Sequence, residues 1–190
     1  MNPLQFQAKS MDKRPILQTR RLLLRPFELI DAKEVQHLAG ERDVADTTLK
    51  IPHPYEYGVA EHWIWTQEAR FRAGEAVNFA IVVKDGNILV GSVSLEINRI
   101  YDRAELGYWI GKPFWNEGYC TEAASAVIDY GFREMGLHRI HASHFLRNPA
   151  SGRVMQKVGM SPEGTARQHV KKWDRYEDLV LYGVLRGDRE

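Results

Sequence analysis

The chain of 190 residues carries a single cysteine, Cys120. One thiol excludes an intramolecular disulfide and any zinc cluster built on cysteines. No apolar run approaches the roughly 20 residues of a membrane-spanning helix. Residues 1–25 contain no unbroken apolar stretch like the core of a secretory leader. Neither sign of charge is in excess: Lys plus Arg number 26 and Asp plus Glu 25, a net charge of +1. That balance provides no broad electrostatic footprint for nucleic acid. The Walker A loop, G-x-G-x-x-G, H-E-x-x-H and G-x-S-x-G are all missing, so the common signatures of nucleotide binding, zinc proteolysis and serine hydrolysis are absent. The expectation is a cytoplasmic protein with no metal, no direct nucleic-acid partner and no membrane partner.

What is present is ordinary globular material, 44% hydrophobic and 27% charged. A chain of this size buries about 70% of its unfolded surface and needs no covalent staple. Residues 1–14 are polar and aperiodic and are expected to form a flexible tail, with residues 15–190 as one domain. Ile16 to Pro26 is a strand candidate. Asp31 is placed to cap a helix that runs through Val35 and Leu38 to Gly40. Residues 41–56, with Pro52 and Pro54, suit a loop or a short helix. Helical spacing then links Val59, Ala60, Trp63, Ile64 and Phe71. Asn78–Lys84 and Ile88–Ile97 flank Asp85-Gly86-Asn87 and predict a hairpin. Arg103–Ile110 is a third strand, Thr121–Met135 a helix, and Arg139–Phe145 a strand. Asn148-Pro149 opens a short helix, and Ser161–His169 and Tyr176–Leu185 close the chain. This order predicts an α/β fold in which an antiparallel meander leads into a βαβ crossover.

The segment Glu105–Ala124 carries the chemistry. A strand, a loop holding Gly118 and a helix start follow one another. Unpaired N–H groups and the helix dipole at such a junction favour a phosphate, and Gly118 permits close backbone approach. His138, His141 and His144 alternate along one strand, so His141 faces away from the other two and the three cannot share a metal.

Four motifs in order carry a resemblance: Glu105-Leu-Gly-Tyr-Trp-Ile110, Trp115-Asn-Glu-Gly-Tyr-Cys-Thr-Glu-Ala123, Asn148-Pro-Ala-Ser151 and Lys157-Val-Gly-Met160. Together with Thr19–Phe27 and Asp178–Gly183, they make the chain similar to the GNAT acetyltransferase superfamily, in its ribosomal-protein N-acetyltransferase (RimJ/RimL-like) branch. The resemblance spans Leu17 to Leu185. It implies a GNAT-like mixed, twisted sheet of about seven strands with helices on both faces. It also implies acetyl-CoA as cosubstrate, held by Trp115, Asn116, Glu117, Gly118, Tyr119, Cys120 and Thr121 at the pyrophosphate and by Asn148 along the pantetheine arm. Backbone N–H groups at Trp109 and Ile110 would hold the acetyl carbonyl. Three features depart from the family pattern, one being Asn116 where Gly is common. Cys120 stands where Gly or Ala is usual, and Glu117 must point to solvent for the loop to accept phosphate.

Acetyl transfer to an amine requires loss of a proton from the amine, stabilisation of the developing oxyanion and relief of the leaving thiolate. Holding donor and amine together removes the need for a covalent enzyme intermediate. Glu105 is the candidate base, with Glu96 or water as alternatives. The resemblance makes Ser151 the candidate donor to the CoA sulfur. Tyr108 faces away from Glu105 and is expected to pack. Trp63 and Trp65 cannot share a helix face. Residues 41–56 and 165–176 are expected to border the acceptor, with Arg167, Lys171, Lys172 and Arg175 as a cationic rim. The acceptor is a protein N-terminal amine or a small-molecule amine. The competing class is a CoA-binding sensor without turnover. A monomer or a homodimer is compatible with all of these.

Overall fold

The computed structural model describes residues 13–189. The expected tail lies outside the described residues apart from Lys13 and Arg14.

The stretch expected as one first strand is two, β1 (Leu17–Gln18) and β2 (Leu22–Arg25), paired antiparallel. Thr19 divides them: its hydroxyl accepts from the Leu22 N–H at 3.0 Å and its own N–H donates to the Leu22 carbonyl at 3.0 Å. This hydroxyl-closed turn is why the sheet has eight strands. β3 (Ala76–Val83) and β4 (Ile88–Asn98) form the predicted hairpin, with Gly86 and Asn87 both at positive φ in the turn. β5 (Arg103–Ile110) completes the meander.

Three helices separate β2 from β3: α1 (Ala32–Ala39), α2 (Arg42–Asp46) and α3 (Val59–Arg72). Asp31 does not cap α1 with its side chain. Its carboxylate accepts from both guanidinium nitrogens of Arg25, at 2.7 and 2.8 Å, and from the Glu28 N–H at 2.8 Å. A bidentate charged partner outcompetes a helix amide for a buried carboxylate. After β5, α4 (Tyr119–Arg133) crosses to β6 (Arg139–Phe145), which lies parallel to β5. α5 (Pro149–Lys157) leads into β7 (Ser161–Lys172) and β8 (Arg175–Leu185), and β8 inserts between β6 and β7.

Each face of the sheet is covered. On one, Val127 and Ile128 of α4 and Met155 of α5 pack on Phe79, Leu95 and Ile140. On the other, Val35, Ala60 and Ile64 of α1 and α3 pack on Phe27, Ala80 and Val82.

The feature that positions the site is an interruption in the middle of this sheet. The β5–β6 ladder runs only from Arg103↔Arg139 to Glu105↔His141. Beyond it β5 stays paired to β4 as far as Ile110, and β6 stays paired to β8 as far as Phe145. The two central strands therefore separate, each keeping its outer neighbour.

Candidate active site

A cavity of about 500 Å³ occupies this opening. Alternation places Glu105, Gly107 and Trp109 on the α1–α3 face and Leu106 and Tyr108 on the α4–α5 face, yet all five line the cavity. It therefore passes through the sheet. Ser143, His144 and Phe145 of β6 form the opposite lip, and Ser151 and Met155 of α5 close one side.

The direction of the β5 amides follows from a single bond. Gly111 N–H donates to Val90 on β4 at 2.9 Å. Successive amides of a strand point to opposite edges, so Trp109 N–H also faces β4, and Tyr108 and Ile110 N–H face the opening. Of the two amides expected to hold a carbonyl, Ile110 is the one aimed into the gap. The Ile110 carbonyl accepts from Nε1 of Trp115 at 2.7 Å, which ties the following loop to the end of β5.

That loop is built for backbone contact. Asn116 (φ 66°) and Gly118 (φ 78°) are both left-handed, and Gly118 occupies the N-cap of α4, where no side-chain cap bond forms. The first amides of α4 are thus left for another acceptor. Residues Trp115 to Gly118 are exposed, and Glu117 reaches solvent as the phosphate reading requires. Arg21 braces the loop from the edge of the sheet. It donates to the Glu117 carbonyl at 3.0 Å, pairs with Glu122 at 2.7 Å and lies over the Tyr119 ring at 4.7 Å. Burial raises the Glu122 pKa, but hydrogen bonds from Thr19 and Arg21 outweigh it and hold the carboxyl below its usual range. Arg21 offsets this carboxylate in the first turn of α4, so the site is not left anionic. Cys120 and Thr121 are half-buried. Burial pushes the Cys120 thiol up, away from a reactive thiolate.

The two candidate bases differ in their partners. Glu96 and Glu105 face each other across β4 and β5. Glu96 is gripped by both guanidinium nitrogens of Arg70, at 2.6 and 3.2 Å. Among the described residues no hydrogen bond or ion pair engages the Glu105 carboxylate, which is exposed in the cavity wall. On its other side Glu105 pairs in register with His141, whose pKa burial lowers despite the attraction of Glu105. Of the two carboxylates, Glu105 is therefore the one without a cation bound to it among the described residues.

The expectation that Tyr108 only packs is wrong. Its hydroxyl lies 2.9 Å from both the carbonyl oxygen and Oγ of Ser151, across the opening. Burial pushes its pKa well above the usual phenol range, with the Ser151 bond opposing. His144, expected to be only a solvated or hydrogen-bonded strand residue, also reaches the cavity. Its Nδ1 is 2.8 Å from the Phe145 carbonyl and its ring lies over the first turn of α5. A Cβ on Gly152 would stand 2.6 Å from His144 Nε2, so a larger residue there would push the imidazole from this position. Asn148 holds the N-cap position of α5 but makes no side-chain cap bond, which leaves its amide for another partner.

The part of the cavity expected to face the acceptor is bounded by residues 47–52, Tyr55 and Trp63. Trp63 both lines the cavity and packs edge-on against Phe27, at 4.9 Å, whereas Trp65 on the other face of α3 is 74% exposed. The cationic rim expected over this side is largely cancelled. Lys172 is only 4% exposed, because β7 continues beneath the 47–52 loop, and its Nζ donates to the carbonyls of Ile51 (2.8 Å) and Leu49 (3.4 Å). Arg175 pairs with Asp46 at 3.1 Å, and Arg147 bridges Asp46 (2.7 Å) and Glu177 (2.8 Å). Only Arg167 and Lys171 stay exposed with no acidic partner among the described residues. Arg21 was not singled out by local pattern, and the contacts of Tyr108 and Lys172 differ from those expected.

A family model described as an acetyltransferase (GNAT) domain matches residues 21–161. "Probable N-acetyltransferase YjcK" of Bacillus subtilis (strain 168) is 33% identical over 180 residues, covering 92% of this chain and 99% of its own length. The "[Ribosomal protein uS5]-alanine N-acetyltransferase" of Escherichia coli (strain K12) is 27% identical over 119 residues, 62% of this chain and 61% of that one. The crystal structure of a GNAT-family acetyltransferase from Bacillus anthracis superposes with a TM-score of 0.80 at 29% identity, covering 91% of this chain and 99% of that chain. The through-sheet cavity, the uncapped α4 N-terminus and these matches lead to one conclusion: the chain belongs to the GNAT family of N-acetyltransferases.

Proposed function

We propose that this acetyl-CoA-dependent N-acetyltransferase acts on the α-amine of a protein N-terminus, by direct attack with donor and acceptor in the cavity together. The observation that carries this reading is the opening between β5 and β6, which brings an unpaired carboxylate and a hydroxyl pair to one cavity from opposite faces of the sheet. Residues Trp115 to Thr121 would hold the pyrophosphate and Asn148 the pantetheine arm. The Ile110 amide would hold the acetyl carbonyl. Glu105 takes the ammonium proton, directly or through water. Ser151, fixed by Tyr108, offers its hydroxyl to the departing sulfur. Most of the rate comes from alignment, which is worth about 7–11 kcal/mol when two reactants are well placed.

Two observations support a polypeptide acceptor. Leu49, itself in the cavity wall, and Leu146, which follows the lining residue Phe145, leave apolar surface exposed. Such surface complements a peptide better than a polycationic small molecule. One relative is also named for a ribosomal-protein alanine. The test is CoA release from acetyl-CoA with a panel of N-terminal peptides, small amines and aminoglycosides. Turnover of peptides is expected. Efficient turnover of small amines alone would replace the acceptor, and binding of acetyl-CoA without release on any acceptor would make the protein a sensor.

A further inference from the structure

We infer that His141 is the proton exit of the reaction: standing beside Glu105 but outside the cavity, it takes the proton that Glu105 collects and passes it to solvent on the uncovered face of β6 and β8. This rests on the acetyl-transfer reading above with Glu105 as the base, and adds the fate of the proton.

The chemistry leaves one proton over. When an ammonium reacts with acetyl-CoA, the C–N bond forms and the thioester C–S bond breaks. The nitrogen sheds two protons and the sulfur takes up one. Glu105 must therefore discharge once in each turnover before it can act again. With donor and acceptor both seated, the cavity side of Glu105 is filled by the substrates themselves.

The sheet supplies a second side. His141 is paired with Glu105 on the last rung of the β5–β6 ladder. Paired residues of neighbouring strands share a face, with their backbones about 4.8 Å apart. Glu105 lines the cavity and His141 does not, although Ser143, His144 and Phe145 further along β6 do. This rung is thus the boundary between the cavity and the rest of that face. The apolar cluster under α1 and α3 reaches no further than Trp109 of β5 among the described residues. Beyond it, on the same face, Leu181 and Leu185 of β8 are 36% and 38% exposed. Between them lies Gly183, the β8 partner of His141, which offers no side chain to cover the imidazole.

The charged groups around His141 are Glu105 and Arg103 of β5, Arg139 of its own strand and Glu163 of β7. Arg139 and Glu163 bind each other, at 2.7 Å from Nη1 to Oε1, and lie over Gly183. Arg103 lies over the Tyr101 ring at 5.2 Å. Among the described residues no hydrogen bond or ion pair engages the Glu105 carboxylate or either ring nitrogen of His141. An imidazole with both nitrogens uncommitted can accept a proton on one and release it from the other. Burial holds its pKa below the ordinary histidine value despite the attraction of Glu105, so it stands unprotonated at neutral pH and open to receive. The two side chains are not bonded to each other, and the hop between them passes through one water. Neither neighbouring histidine is so placed. His138 precedes the ladder and is exposed, and His144 engages the Phe145 carbonyl through Nδ1 on the opposite face.

The test uses the full chain with alaninamide and with a peptide beginning in alanine, reading the acetylated acceptor and subtracting the rate without enzyme. His141→Gln keeps a polar side chain that cannot carry a proton, and His141→Ala leaves a space open to solvent. In both, kcat at pH 7 should fall about tenfold, with acetyl-CoA affinity and Tm close to the wild type. Imidazole added at constant ionic strength should restore His141→Ala in proportion to its unprotonated fraction. It should leave the wild type and Glu105→Gln unchanged, a pattern that a merely structural histidine would not give. His141→Ala combined with Glu105→Gln should be no slower than Glu105→Gln alone, because one acts through the other. Unchanged kcat in His141→Gln, a loss in His141→Ala that imidazole does not repair, or a loss that adds in full to that of Glu105→Gln, each overturns the relay and leaves the acetyltransferase reading intact. Failure of the wild type to acetylate either acceptor, or any of the panel above, overturns that reading and the relay with it.

Discussion

Tyr108 and Ser151 meet across the gap in the sheet, the phenol oxygen lying 2.9 Å from both the carbonyl and the hydroxyl oxygen of the serine. The contact joins β5 to the first turn of α5 where the two central strands no longer pair. Burial raises the phenol pKa, and the contact suits Tyr108 to orienting Ser151. Tyr108→Phe keeps the ring and removes the bond. The expected result is a fall in kcat of about tenfold with little change in acetyl-CoA KM. The shape of the kcat–pH profile between pH 7 and 9 should not change. A basic limb present in the wild type and lost in the variant would make Tyr108 a proton donor instead.

Glu105→Gln removes the one carboxylate of the pair that no cation holds. Turnover near pH 7 should fall by about 10²–10³, and the deficit should shrink as rising pH supplies free amine. Glu96→Gln should leave that pH dependence as in the wild type, because Glu96 is committed to Arg70. Near-normal turnover in Glu105→Gln at neutral pH would move the role to water or Glu96.

Acetyl-CoA at a hundred times its Kd should stabilise the protein by about 2.7 kcal/mol, a rise in Tm of about 5–10 °C for a chain of this size. Gly118→Val should abolish the shift. Its backbone sits at φ 78°, a left-handed conformation in which a β-branched side chain is strained. A wild-type Tm indifferent to acetyl-CoA would remove the donor assignment altogether.

Glu122 links pH to the bracing of the phosphate loop. Its folded pKa lies below the unfolded value of about 4.3. The stability it contributes is therefore complete above that unfolded value and is lost as pH falls through the folded one. Glu122→Gln should lower Tm at pH 7 by about 2–4 °C, the worth of roughly 1 kcal/mol for a partly exposed pair. The gap between wild type and variant should close below about pH 4. A gap that stays constant from pH 7 to pH 3 would show that the carboxylate charge is not what matters.

Lys172 holds the acceptor wall through two loop carbonyls. Lys172→Met should raise acceptor KM about tenfold and speed hydrogen exchange at residues 47–52, with acetyl-CoA affinity unchanged. Lys172→Arg should restore part of the loss, and Lys171→Ala should do little because that residue is exposed. Unchanged exchange at 47–52 in Lys172→Met would remove the bracing role.

The strand–loop–helix from Glu105 to Ala124 was legible in the sequence because its signals are local: a turn glycine, an amphipathic helix and an alternating strand. So was the hairpin around Gly86. Tyr108 was misjudged because alternation puts it opposite Glu105, and alternation assigns function to one face only when the sheet is continuous. Here the β5–β6 ladder ends at Glu105, and side chains from both faces enter one space. Lys172 was expected in an exposed cationic rim because nothing local marks how far β7 extends, and its burial is fixed by a loop about 120 positions away in the chain. The division of the first strand depended on one threonine hydroxyl, a turn that the run Leu22-Leu23-Leu24 conceals.

Because the cavity pierces the sheet, it has two doors. In the proposed reaction the donor would reach it from the α4–α5 face and the acceptor from the α1–α3 face, so neither would stand in the other's exit. On that reading an acceptor seated against the 47–52 wall would not bar CoA from leaving or a fresh acetyl-CoA from entering. The order in which substrates load is then a matter of their concentrations, and a bulky acceptor slows its own departure without stalling exchange of the donor.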